Sequence, residues 1–367
     1  MFNEVPIRGG EKVEIELSVD SNTWIKDTPK SFKLEGDNAM YVYKVSDVSA
    51  TKHRELLNIR LVSKEYFMNE QSKCLKKYQS HNISVHVKDI LKNILKTKKD
   101  YDKNIEDTSN KYSFYGGNRK PFHVLQWLAP KSVSTSPGVK GQSGKGQQAQ
   151  GKGTAGFLFY ETQFGFNFTS IDDLISKEPY ENEYTYAPAV VDPQDPMKDF
   201  KVIQVNTGNI DLLDKLRRGG YASQRFYINP VSFEVNKKQL FVGTDYHSTI
   251  PTLGDHGIKT FSVDQSGKDI SQLPSRIFSA VLDIGTVEKN ASLTGWNDAS
   301  QRNADPARIH SQSMVRYQQL KSEILNIQIP CNMNLTAGTI IRCNFPRIDL
   351  EERKEADSVQ SGLYMIK

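Results

Sequence analysis

Between residues 120 and 176 the chain changes character three times. It opens as KPFHVLQWLAPKSV, passes through a polar glycine-rich tract, and closes as GFLFYETQFGFNFTSIDDLIS. The first part predicts a helix. Phe122, Leu125, Trp127, Leu128 and Val133 are its apolar positions, and Pro121 suits a first turn, where its missing N–H costs nothing. The last part predicts two aromatic-rich strands over 156–161 and 165–168, then a short helix opened by Ser170 with Asp172 and Asp173 in its first turn. Between them, residues 131–156 hold four lysines, no acidic residue and a glycine every few positions. Such a tract has too little apolar surface to offset the entropy of ordering it, so 134–153, with Lys140, Lys145 and Lys152, is expected to be a flexible loop. A helix and a hairpin that pack together across such an excursion form one unit that displays something.

The remainder is long enough for further cores: 367 residues suggest about two to four domains. No run approaches the roughly 20 apolar residues of a membrane span. The opening MFNEVPIRGG carries neither the apolar region nor the cleavage site of a secretory signal. Three cysteines (Cys74, Cys331 and Cys343) make no disulfide framework, so folding in a reducing cytoplasm is expected. A net charge of +5 over this length is weak support for nucleic-acid binding, which concentrates basic residues on one face.

Residues 1–63 read as antiparallel β-structure. KVEIELS alternates with Val13, Ile15 and Leu17 on one face, and 40–45 and 55–62 alternate similarly. A short helix is expected over 64–70, a strand over 72–78, and a helix over 85–96 capped by Ser84. That helix places Val87, Ile90, Leu91, Ile94 and Leu95 on one stripe. Its lysines and those just beyond, Lys88, Lys92, Lys96, Lys98 and Lys99, read as a solvated face. Residues 100–115 read as a loop, and the Tyr/Pro-rich 179–196 as an extended connector, because each proline pushes its predecessor out of helix. Then come a strand over 200–205, a helix over 209–218 stopped by Gly219 and Gly220, strands over 221–228 and 231–235, an irregular stretch over 237–275, and a strand over 276–282. A helix over 305–319 has Pro306 at its first position, and strands over 322–329 and 338–344 are expected to pair around NMNLTAG.

Chemical motifs are sparse. GQQAQGKG at 146–153 nearly matches a phosphate-cradling loop, but Gly153 stands where magnesium needs Ser or Thr, and no strand feeds the glycines. Asp245, His247, Asp255 and His256 are close in sequence without a ligand spacing, and read as a surface loop. His81, His86 and His123 read as ordinary packing residues. Neither G-x-S-x-G nor H-E-x-x-H occurs. Asp172–Asp173 and Glu351–Glu352 are sequence neighbours that point about 100° apart on a helix, so they read as caps or surface charge. Cys331 and Cys343 flank the last expected hairpin and read as a reduced pair. No catalytic, metal-binding or cofactor-binding residue is expected.

The order of the pieces resembles one family. VPIRGGEKVEIEL, then LVSKEYFMNEQSKCLKKYQSHNISVHVKDILKNIL, RKPFHVLQWLAPKSV, GFLFYETQFGFNFTSIDDLIS, GNIDLLDKLRRGGYASQRFYIN, NLTAGTIIRCNFPR and SGLYMIK together are similar to the baseplate hub protein of contractile-tailed bacteriophages. The likeness is faintest over 237–300. It implies an α+β chain with two β-barrel-like tube domains and a flanking α+β domain. Three copies would make a homotrimer whose six tube domains form a pseudo-sixfold ring. That ring would join the sixfold tail tube protein to the threefold central spike, beside wedge or other baseplate proteins, and pass phage DNA through its lumen. The place would be the virion tail, assembled in the host cytoplasm.

Carried onto this chain, 1–84 is the first tube domain and 85–199 the flanking domain. Residues 200–236 and 303–367 are the second tube domain, around an irregular or β insertion at 237–302. Val13, Ile15, Leu17, Leu325, Ile327 and Ile329 are the expected barrel-core supports. The family usually has strands before VPIRGGEKVEIEL and after SGLYMIK, which implies that such strands lie outside this sequence or come from another chain. Other readings are a tube-end or spike-anchoring protein of a related injection machine, a baseplate peptidoglycan hydrolase, and a nucleic-acid binder using the 131–156 lysines. For that last tract, contact with a neighbouring subunit is the preferred reading.

Overall fold

The computed structural model describes residues 7–18, 31–50, 55–79, 81–135, 154–186, 200–208, 211–228, 233–241, 261–262, 267–281, 306–321, 323–346 and 360–367, with single positions at 230, 253 and 357. These form a mixed α+β structure of several small sheets. The alternating KVEIELS run breaks at Glu14 and serves two of them. Strand β1 (Lys12–Val13) lies against β4 (Met40–Ala50), which pairs with β5 (Glu55–Ser63), while β2 (Ile15–Ser18) pairs with β3 (Ser31–Leu34).

A first core follows. Helix α1 (Lys64–Gln71) leads to β6 (Lys77–Tyr78), so the strand expected over 72–78 shrinks to two residues and an isolated bridge at Cys74. Helix α2 (Ile83–Asp89) starts earlier than expected, with Asn82 at its cap. Ser84 lies inside it, buried, its backbone N–H donating to Thr108 Oγ1 at 3.0 Å. From Ile90 to Ile94 the helix widens to π geometry, with Leu95 N–H donating to Ile90 O at 3.0 Å. The apolar stripe holds: Val87, Ile90, Leu91 and Leu95 are buried. The stretch over 100–115 is loop-like as expected up to residue 113, but much of it is buried. Ile105, Thr108, Tyr112 and Phe114 are buried, and β7 (Phe114–Tyr115) pairs with β6. Its polar letters hid this because its backbone is held by bridges, not by a periodic strand.

Helix α3 (Pro121–Leu128), extended by a 3₁₀ turn over Ala129–Lys131, presses Val124, Leu125 and Leu128 into the same core. Strands β8 (Phe157–Thr162) and β9 (Gly165–Ser170) form the expected hairpin, with Phe157, Phe166 and Phe168 buried. Helix α4 (Ile171–Ser176) is capped as expected, Ser170 Oγ accepting from Asp173 N–H at 3.0 Å.

The second half is built by pairings remote in sequence. In the Tyr/Pro-rich connector, β10 (Glu183–Tyr186) lies parallel to both β11 (Lys201–Val202) and β17 (Ile340–Asn344), and β18 (Gly362–Met365) closes that four-stranded sheet. A boundary at 199/200 would therefore cut β10 from its own sheet. Strand β12 (Gln204–Thr207) pairs with β16 (Leu325–Gln328), so β16 and β17 are not the expected hairpin partners. Each found a longer-range partner that buries its apolar face. Helix α5 (Leu212–Arg217) is capped by Asp211 and stopped where Gly219 takes φ +73°.

Strand β13 (Ala222–Ile228) lies between β14 (Val235–Phe241), antiparallel, and β15 (Arg276–Val281), parallel. Strand β14 thus occupies part of the stretch expected to be irregular and crosses the boundary at 236. Helix α6 (Pro306–Gln319) packs on this sheet.

Candidate functional site

The feet of the glycine–lysine tract form a platform. Val133 bridges Ala155 and Thr108 bridges Ser134, so entry and exit lie side by side. Each foot is held by a carboxylate. Glu106 accepts from the hydroxyl of Ser134, and from Ser170 N–H at 2.6 Å and Ser170 Oγ at 3.0 Å; burial pushes its pKa up against these bonds. Asp172 accepts from Thr154 N–H at 2.9 Å and from the Thr154 hydroxyl. Ser134, Ser170 and Thr154 are all buried. With those hydroxyls buried, the network fixes the feet of the tract. Lys131, first lysine of the tract, lies over the Trp127 ring at 4.6 Å, a cation–π contact that anchors the entry. Lys140, Lys145, Lys152, the 146–153 motif and all of 136–153 lie outside the described residues, as do Asp245, His247, Asp255, His256 and Glu351–Glu352.

Asp172 is not surface charge. Its side chain is 2% exposed and is ion-paired to Arg316 of α6, which is 1% exposed. Two more bonds clasp α6 to the platform: Gln312 Oε1 accepts from Ala155 N–H at 2.8 Å, and the Tyr317 hydroxyl donates to Phe157 O. Gly156, at φ +126°, sits under the helix, where an added Cβ would meet Ile171 at 3.3 Å and Arg316 at 3.7 Å. The far side of α6 meets the β13–β15 sheet differently. Buried Arg225 donates to His310 Nδ1 at 2.7 Å and lies 5.3 Å over the Phe278 ring. Burial, then Arg225, Lys131 and Arg276, push the His310 pKa down to about 4.

A third joint corrects another expectation. Lys99 is buried, not part of a solvated lysine face. It pairs with Glu65 at 3.3 Å and with Glu161, tying α1 to the β8–β9 hairpin. His86 is likewise buried, its Nε2 2.9 Å from Tyr112 O, whereas His81 and His123 are exposed.

The expected core supports divide. Leu325, Ile327 and Ile329 pack, partly buried, against the cluster of Tyr184, Phe200, Val202, Ile341, Cys343 and Phe345. Val13 and Ile15 are half-buried, but Leu17 is 52% exposed. Among the described residues no layer covers that position of the two-stranded β2–β3 ribbon, and Leu17 instead lines an open cavity of about 300 Å³ with Phe32, Met333 and Leu335. Cys331 is exposed on the same cavity and Cys343 is buried in the second core, so they do not face each other.

Two apolar sheet surfaces stay in water. Leu56 and Leu57 of β5 are consecutive, so they point to opposite faces, yet both are exposed, Leu56 by 68%. The outer half of the β4–β5 ribbon therefore meets solvent on both sides, with Tyr43 and Ile59 also exposed. On the β13–β15 sheet, Arg225 and Phe278 face α6. On the opposite face Val235, Ile228 and Val281 stand in one row across three strands, all exposed, with Ile277 further along. Only pairing data show that row; in sequence its members are scattered.

Among the described residues, no group of three or more His, Cys, Asp or Glu is placed to hold a metal, and no helix is long and apolar enough to cross a membrane. No family model matches the chain, and no curated protein is significantly similar to it.

Proposed function

We propose that the chain is a structural assembly protein of the virion, the central baseplate hub of a contractile phage tail. In that role it forms a homotrimer whose tube domains make a ring between tail tube and central spike, flanked by other baseplate proteins and open to DNA passage. The ordered series of sequence segments resembling the hub family supports this reading. One structural observation carries it furthest: apolar side chains exposed on both faces of the β4–β5 ribbon. A two-stranded ribbon is marginal alone in water, and contiguous exposed apolar surface marks an interaction site. The platform that presents the 131–156 tract is then a second contact region, held rigid by its two carboxylates.

The test is the mass of the purified chain by analytical ultracentrifugation. Three copies of the 41.6 kDa chain are expected. A monomer that degrades cell-wall peptidoglycan would overturn the reading.

A further inference from the structure

Helix α6 is gripped on two sides by different chemistry. Gln312 and Arg316, four residues apart, hold it to the platform. His310 and Met314, also four apart but two residues out of step with that pair, lie on the nearly opposite side and meet the β13–β15 sheet. There the buried Arg225 donates through Nη1 to His310 Nδ1 at 2.7 Å and through Nη2 to Met314 Sδ at 3.3 Å. A guanidinium can only donate, so the imidazole is neutral and carries its proton on Nε2. The groups around it are cationic or aromatic: Arg225 from β13, Arg276 and the Phe278 ring from β15, and Lys131 from the turn after α3. On β14 the side chains after Val235 lie outside the described residues. Among the described residues no carboxylate lies within ion-pair distance of Arg225 or His310 to offset a further positive charge.

We propose that this contact is an acid-sensitive latch, which lets α6 lift from the β13–β15 sheet while its clasp on the platform holds. A proton taken up at Nδ1 removes the acceptor of Arg225 and leaves imidazolium and guanidinium facing each other at the same contact. The lifted state exposes His310 to water and so binds that proton more tightly, whereas the closed state holds the pKa down to about 4 by burial and its cationic neighbours. By linkage, the lifted-to-closed ratio rises roughly thirtyfold between about pH 7.5 and about pH 5. The platform answers acid differently. Burial raises the pKa of Glu106, so the fold takes up that proton more readily than the unfolded chain, and mild acid does not unlock the platform through it. The latch is a property of the fold and does not depend on the assembly reading above.

Two buried serines report the two sides of α6. Ser223 shares the inward face of β13 with Arg225, two residues on, and Gly220 just before it lies against Gln318 of α6. Ser313, on α6, lies against Gly156 of the platform. Thiols introduced by Ser223→Cys or Ser313→Cys, each in the full chain carrying Cys331→Ser, are labelled with a methanethiosulfonate reagent and followed by intact mass. Each rate is divided by that of the urea-unfolded chain at the same pH, which removes the pH dependence of the thiol itself. From about pH 7.5 to about pH 5 the Ser223→Cys thiol should label roughly thirtyfold faster, the Ser313→Cys thiol should change less than about threefold, and adding His310→Gln should abolish the rise. No rise at Ser223→Cys, equal rises at both thiols, or a rise that survives His310→Gln overturns the latch. Should the thiol variants not fold, the unaltered chain decides: Met314, released from Arg225, should oxidise faster in dilute hydrogen peroxide at the lower pH relative to Met68 of the first core. A Met314 rate that does not change relative to Met68 overturns it equally.

Discussion

Helix α6 touches two regions through two buried arginine contacts, and the regions are built differently. Toward the platform, Arg316 meets the carboxylate of Asp172, which also gathers both donors of Thr154. Toward the β13–β15 sheet, Arg225 meets the neutral imidazole of His310 and an aromatic face. Among the described residues no carboxylate lies within ion-pair distance of Arg225. The first joint matches charge with charge between two side chains that are both almost fully buried. The second sets a cation against a polarisable, titratable partner, in a sheet whose opposite face is exposed. The difference separates a charge-clamped platform from a sheet that leaves one apolar face exposed.

Breaking the charged joint should have the largest effect. Asp172→Ala leaves the Arg316 guanidinium buried without its carboxylate and removes the acceptor for Thr154, a change of about 3–5 kcal/mol. Urea denaturation of the full chain should show it. The double variant Asp172→Asn with Arg316→Met removes both charges and should recover much of that loss. An Asp172→Ala protein as stable as wild type would show that the platform does not depend on this pair.

A second comparison sets the covered core against the open face. Leu125→Ala empties a site inside the first core and should cost about 2–5 kcal/mol. Ile277→Ala, at an exposed position, should stay within about 0.5 kcal/mol in the isolated chain. Equal losses would mean that the sheet face is covered in solution even without a partner.

How far these contrasts could be read in advance depends on distance along the chain. Pro121, Pro306, Ser170 and Gly219 act within a few residues, so the helices they start or stop were legible, whereas the cap at Asp211 lies two residues past the expected start at 209. The Phe-rich hairpin was legible for the same reason. Asp172 and Arg316 stand 144 positions apart, and nothing local marks a carboxylate as buried. Lys99 carried the same ambiguity, because a lysine beside other lysines looks solvated until Glu65 and Glu161 are brought to it. Strand β10 was hidden in a proline-rich context, since its partners β11 and β17 supply the burial that its own residues do not announce. The loop feet were legible as neighbours, but not the carboxylates that clamp them.

The histidine joint sharpens the comparison through pH. With its pKa lowered to about 4 in the fold, His310 stays neutral while the unfolded chain takes up a proton below about 6.5. Across that window the unfolded state binds more protons, so stability rises with pH and is lost as pH falls from about 6.5 toward 4. At about 1.4 kcal/mol per pH unit the loss is at most about 3 kcal/mol. Protonation would set an imidazolium among Arg225, Lys131 and Arg276. His310→Gln keeps an acceptor for Arg225 but cannot titrate, so its stability curve should be flatter over the same window. Buried His86, also held below its ordinary pKa, leaves a residual slope. An unchanged slope in His310→Gln would place the pH response elsewhere.

The smallest effect is expected from a long deletion that spares the feet. Removing 136–153 and joining Thr135 to Thr154 through a short Gly-Ser link leaves both feet in place: Ser134 on Glu106, Thr154 on Asp172, and Val133 bridged to Ala155. Loop-closure entropy changes by only about 0.6 kcal/mol per doubling of length, so melting should shift little and soluble yield should persist. Extending the deletion to 134–154, to remove Ser134 and Thr154, takes from Glu106 one of its two hydroxyl donors and from Asp172 both donors of Thr154, and should lower stability clearly. The two deletions differ slightly in length but sharply in what they unclamp. A shorter deletion that already abolishes soluble protein would show that the tract itself holds the platform together, and the contrast between a rigid base and its displayed segment would fail.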